Sequence, residues 1–278
     1  MSVGKRKTKA WIVAATAFAL TAAAPPAVAE LTDAEKTANA EAMALGKRLY
    51  EYDQAAWHST DAMVAALDGR KPVVAGWVVE EPGDGSLLVT YYGEGESERP
   101  VVARFVMRDG KVVSGGLGTA DDKLSAAAYR MIAARNAALA RAVGEKLGLC
   151  TDGNLNHIIL PPRDDGTIRV YLMSSAVEHG VFPLGGHYRF DIDKDGKVAS
   201  WRPFLKSCML IDARPDGEMQ KKTAFYVSHL LDPQPTEIHY FVRYNVPVDM
   251  AIIMPDEDIW LLGIDGFTNP KSGEIALP

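Results

Sequence analysis

Four histidines gathered late in the chain are the residues best suited to chemistry: His179 with His187, and His229 with His239, the second pair bracketing Asp232 and Glu237. Five of the six histidines lie beyond residue 150. Imidazoles and carboxylates are the ligand set of zinc and other divalent metals, so a shared metal site of His179, His187, His229 and His239 is one expectation. Glu178 or Glu237 would then be the general base of a metal-dependent hydrolase. Spacing gives this no support: there is no H-E-x-x-H, and His179 and His187 are separated by a Pro-Leu-Gly-Gly loop that fixes no geometry. Histidines satisfied by neighbours or facing water are the default reading, with no cofactor bound.

Other motifs are weaker. Asp191-x-Asp193-x-Asp195-Gly196 opens like a calcium loop, but position twelve is Arg202 where a bidentate Glu is required, and strand-like sequence flanks it. A solvated hairpin turn explains it. From Glu30 onward neither G-x-S-x-G nor S-x-x-K occurs, so Ser228 beside His229 is only a neighbour of a base. Gly185-Gly186 precedes a strand rather than a helix, which suits a tight bend better than a phosphate cradle. Trp201-Arg-Pro-Phe204 and Trp260-Leu-Leu262 are expected in the core.

The elements that must position these residues follow one plan used twice. Arg104-Phe-Val-Met-Arg-Asp-Gly-Lys-Val-Val-Ser114 aligns with Arg189-Phe-Asp-Ile-Asp-Lys-Asp-Gly-Lys-Val-Ala-Ser200 but for one extra residue before the Asp-Gly. Each reads as a strand, a tight turn and a returning strand, since Asp-Gly tolerates the positive φ of a two-residue hairpin. Another glycine-punctuated hairpin precedes each, and a helical segment precedes each set. The expected fold is α+β, tandem helix-plus-antiparallel-sheet units with a C-terminal β-meander: 30–118, 119–205 and 206–278. The last is expected to pack on the second unit.

Thr32-Asp-Ala-Glu35 fits a capping box, and helical periodicity then runs to Leu67, with a break expected at His58-Ser-Thr-Asp61 and an end at Gly69. Strands are expected over Val73–Val79, Leu87–Tyr92, Val101–Met107 and Val112–Ser114, then a linker over Gly115–Asp122. The next helix, Lys123–Leu149, presents Leu124, Ala128, Ile132, Leu139 and Val143. In the second unit, His187, Arg189 and Asp191 alternate with Tyr188, Phe190 and Ile192. With Glu237 and His239, the polar set forms the candidate binding surface. The tail reads as a short helix over Lys221–Leu231, then strands over Thr236–Tyr244, Val248–Met254 and Ile259–Ile264.

The N-terminus sets the expected address. Lys5, Arg6, Lys7 and Lys9, an apolar stretch from Ala10 to Ala24 and Ala27-Val-Ala29 make a secretory signal peptide, residues 1–29, cut after Ala29. No other long apolar run follows, so no membrane span is expected after cleavage. Losing those four basic residues takes the net charge from −6 to −10, a surface that repels nucleic acid and anionic lipid. In an oxidising compartment Cys150 and Cys208 are expected to form a disulfide; neither lies in a C-x-x-C, so a redox pair is disfavoured.

Pro183-Leu-Gly-Gly-His-Tyr-Arg-Phe190 and Ser228-His-Leu-Leu-Asp-Pro-Gln-Pro-Thr-Glu-Ile-His239 resemble a group of exported bacterial proteins of unknown function. The resemblance covers mainly the second unit and the tail and implies no activity. The doubled plan is also similar to tandem PepSY-like and inhibitor-like secreted modules, an analogy of fold alone. The functional expectation is therefore an exported, periplasmic or secreted protein that binds a protein partner or small ligand of the cell envelope.

Overall fold

The computed structural model describes residues 31–95, 98–153, 155–176, 178–217, 224–269 and 274–276; residues 1–29, expected from the sequence to be a signal peptide, lie outside them. The fold is α+β. Helix α1 (Asp33–Leu67) starts at the expected box: Thr32 Oγ1 accepts the Glu35 amide at 3.2 Å and Glu35 Oε2 accepts the Thr32 amide at 2.8 Å. It then runs unbroken for 35 residues, roughly 52 Å at 1.5 Å per residue. The expected break at His58–Asp61 does not occur. Ser59 and Thr60 donate back to the Ala55 and Ala56 carbonyls at 2.6 and 2.7 Å, and the Tyr91 hydroxyl lies 2.8 Å from each of them. Hydroxyls that compete with a helix at its ends are absorbed here by the helix and one tyrosine. Asp68 (φ 47°) and Gly69 (φ 80°) close it in the left-handed region.

Strands β1 (Gly76–Glu80), β2 (Leu87–Tyr92), β3 (Val101–Arg108) and β4 (Lys111–Leu117) form an antiparallel sheet in chain order. The first begins at Gly76 rather than Val73. Along β3, Ala103, Phe105 and Met107 are buried in a cluster that includes Leu49, Tyr52 and Met63 of α1, as the period-2 pattern requires. The β3–β4 turn is Asp109-Gly110, both at positive φ, between paired Arg108 and Lys111. Strand β4 continues through Gly115-Gly116, which the sequence offers as linker. Gly115 pairs with Phe105 at φ 130°, and a Cβ there would lie 2.2 Å from the Arg104 carbonyl oxygen, so this glycine serves a close strand crossing.

Helix α2 (Ala126–Gly144) is capped by Ser125 and buries Ala128, Met131, Ile132, Ala134 and Ala138; Val143, expected on that face, is exposed. Beneath it lies a second antiparallel sheet of β5 (Leu155–Ile159), β6 (Ile168–Ser174), β8 (His187–Ile192) and β9 (Val198–Pro203). Phe190 and Ile192 face α2 in the core, with Tyr188 partly buried beside them. The extra residue of the β8–β9 turn changes its form. Asp193 Oδ1 accepts the amides of Asp195 and Lys197 at 2.9 Å each, so the carboxylate central to the calcium-like motif shapes the turn. Between β6 and β8 the chain inserts β7 (Val181–Leu184), paired with β10 (Met209–Asp212). The Cys150–Cys208 disulfide forms as expected, Cα atoms 5.3 Å apart, beside the Gly185-Gly186 bend.

The tail departs most from expectation. Residues 221–223 of the expected helix lie outside the described residues, and the next five form a strand, β11 (Ala224–Ser228). It pairs in parallel with β12 (Asp249–Ile253), which continues antiparallel through β13 (Ile259–Leu262), β14 (Phe267–Asn269) and β15 (Glu274–Ala276). A parallel pair needs a crossover. The expected strand Thr236–Tyr244 supplies it as helix α3 (Glu237–Asn245). Alternation misled because α3 is buried nearly all round, taking in Glu237, His239 and Arg243 beside Ile238, Tyr240 and Val242. Gly46 of α1 admits it: a Cβ there would sit 2.4 Å from Tyr240 Cβ and 2.6 Å from the Glu237 carbonyl oxygen. Trp260 and Phe204 are in the core, as expected of both aromatic runs; Trp201 is half-buried against Phe190.

Candidate functional site

The polar face of β8 does not look into solvent. The tail covers it, turning the expected binding residues into an interior network. Glu237 Oε1 accepts the Tyr171 hydroxyl at 2.9 Å and Arg189 Nη1 at 3.2 Å. Asp191 sits between Arg189 (3.4 Å) and Arg169 (3.1 Å) and accepts Ser200 at 3.0 Å. Burial alone would raise the Asp191 carboxyl, but the two guanidiniums outweigh it and hold it below the usual range.

Beside this network the late histidines separate by role. His239 Nδ1 accepts the Thr236 amide at 3.0 Å, completing a cap in which histidine occupies the place usual for Glu or Gln. Burial pushes its imidazole down to about 3. The ring of His229 meets it edge-on, centroids 4.5 Å apart, and His229 Nε2 lies 2.8 Å from Asp232 Oδ2. The Arg202 fork holds both oxygens of Asp232, at 2.7 and 2.5 Å. Despite burial, the His229 and Arg202 hydrogen bonds put that carboxyl far below the usual range. His179 lies apart and exposed, its ring 5.5 Å from that of Trp57. Glu178 is exposed and accepts Arg214 at 3.1 Å. Among the described residues no group of three or more His, Cys, Asp or Glu side chains is placed to hold a metal ion.

Two of the late histidines, His187 at Nδ1 and His239 at Nε2, keep a buried ring nitrogen without a partner among the described residues, and of these two His187 lines a cavity. Its Nε2 lies 3.0 Å from the Pro183 carbonyl oxygen, which can only accept, so Nε2 carries the proton and Nδ1 presents a lone pair. That Nδ1 is buried without a hydrogen-bond partner among the described residues. Burial depresses the ring to about 4, keeping it neutral at physiological pH. His187 lines a cavity of about 410 Å³ where α1, the β5–β6 pair, the β7 segment and α3 converge, a volume within the range of small-molecule sites.

Opposite elements supply the rest of the wall: Asp53 and Trp57 from α1, Asn156 from β5, Phe182 from β7 and Phe241 from α3. Asp53 accepts Asn156 Nδ2 at 3.0 Å, and burial pushes its carboxyl up to about 6. The wall is fastened from behind, because Ser174, which also lines the cavity, accepts the Cys150 amide at 2.7 Å next to the disulfide. A larger depression of about 960 Å³ flanks α1 near Tyr50, His58 and the β3–β4 turn. No unpartnered buried polar atom lines it among the described residues.

The sequence reading named His187 and His179 but missed Asp53, Trp57 and Phe241. A signal existed for Asp53: it follows Leu49 by four residues and precedes Ala56 by three, putting a carboxylate on the stripe that α1 buries. The raised acid has a defined consequence. Below pH 4 both folded and unfolded chains hold the Asp53 proton; above pH 6 both lose it, and the folded chain alone bears the buried charge. Asp53→Asn should therefore raise stability at pH 7.5 by about 2 kcal/mol, allowing for the opening to the cavity, with the gain vanishing below pH 4. Urea melts of both proteins across that range check it; a pH-independent gain would contradict the assignment.

Comparison with protein-family models and with curated proteins returned no match.

Proposed function

We propose that this chain is an exported, non-catalytic binding protein that takes a small ligand of the cell envelope in the cavity between α1 and the second sheet. The observation that carries it is the cavity itself, about 410 Å³, around which Asp53 and Trp57 of α1, Phe182 of β7 and Phe241 of α3 meet. Asp53 supports the same reading, since a carboxylate kept in an unfavourable setting is the stability cost that functional sites carry. The basic and apolar N-terminal pattern and the Cys150–Cys208 pair support export. Among the described residues no helix is long and apolar enough to cross a membrane.

A fragment screen by protein-observed NMR tests the proposal. Hits should shift amides of α1 around Asp53–Trp57 together with those of β6–β8. Trp57→Ala, which removes a half-exposed ring and leaves the core intact, should weaken those hits about tenfold. Hits scattered over the surface, or indifferent to Trp57→Ala, would sink the reading.

A further inference from the structure

We propose that the ligand is a small organic cation, an amine or quaternary ammonium carried on an apolar body. The inference rests on the reading of the cavity as a ligand site and adds the sign of the ligand's charge. Two carboxylates, Asp53 and Glu178, line the cavity, and no lysine or arginine does so among the described residues. Arg214, which reaches Glu178, is also held by Asp212 at 2.6 and 2.8 Å. An anion would meet the charge of Asp53, which is partly withdrawn from water, with the exposed Glu178 carboxylate at the rim.

The remaining wall groups agree. Asn156 turns one N–H of its Nδ2 to Asp53, and its Oδ1 accepts the His157 amide at 2.8 Å, so the amide is oriented by the carboxylate rather than by a positive group. Trp57 is 43% exposed and makes an aromatic corner with His179, rings tilted 56°. The faces of such rings attract cations most strongly where water is excluded. Phe182 and Phe241 add apolar surface for the rest of the molecule. A cation would also relieve the burial of the Asp53 charge.

Isothermal titration of the purified protein at pH 7.5 with benzylamine, benzyltrimethylammonium, benzyl alcohol and phenylacetate decides the point, since one ring carries four head groups. Both cations should bind at least about tenfold more tightly than benzyl alcohol, and phenylacetate weakest of all. Asp53→Asn should erase the cation preference while leaving benzyl alcohol unchanged; Trp57→Ala should weaken every probe. Equal binding of cation and alcohol, tighter binding of phenylacetate, or a cation preference that survives Asp53→Asn overturns the charge assignment. If Trp57→Ala still weakens the probes in those cases, the cavity remains the ligand site. If no probe of any charge binds at millimolar concentration, both readings fall.

Discussion

Glu237→Ala should destabilise the protein by about 3 kcal/mol, the lower end of the range for removing one partner of a buried ion pair, because Arg189 is half-buried and keeps Asp191. Glu237 is 7% exposed and its Oε1 receives both the Tyr171 hydroxyl and Arg189 Nη1. Alanine would leave the fully buried Tyr171 phenol without its acceptor and the half-buried Arg189 with Asp191 alone, and would remove the acidic first turn of α3. For a chain of this size that is a fall in Tm on the order of 10 °C. Glu237→Gln, which keeps an acceptor and loses the charge, should cost about half as much. Urea unfolding followed by tryptophan fluorescence measures both. A loss below about 1 kcal/mol for the alanine variant would mean that water reaches the network and that the tail does not seal the second sheet.

Loss of the disulfide should be of similar size. Cys150 and Cys208 close a loop with a separation of 58 residues, worth on the order of 4 kcal/mol through the entropy of the unfolded chain. The effect should reach the cavity as well. Cys208 directly precedes β10, β10 pairs with β7, and the β7 carbonyl of Pro183 orients His187. Replacing both cysteines with serine should therefore lower the urea midpoint and also weaken cavity ligands, because the wall is no longer anchored. Equal midpoints with and without reductant in the parent protein would remove the cross-link from the account.

Much of the architecture was legible before any coordinates. The Thr32–Glu35 box, the Asp109-Gly110 turn, the alternation along β3 and β8 and the pairing of the two cysteines are local statements. Their chemistry is complete within a few residues, or, for the cysteines, follows from the expected compartment. The hairpins and the placing of Phe190 and Ile192 inside follow from them. The candidate site was legible only in fragments. His187 stood out by residue type, whereas Asp53, 134 residues earlier by the numbering, belongs to the same cavity only because α1 crosses the second sheet.

The residue order alone determined the α+β class, the turns and the inward faces of both sheets, because side-chain period and backbone preference act over a few residues. Tertiary packing decided the rest. It kept α1 whole by giving Ser59 and Thr60 a tyrosine to bond, drew Gly115 into a strand at a close crossing, and wound Glu237–Asn245 into a helix against Gly46. In each case a partner distant in the chain supplied the hydrogen bond or the space, and no local pattern records that partner. The polar side of β8 turned inward for the same reason: acids and bases from separate segments neutralise one another only where the fold brings them together.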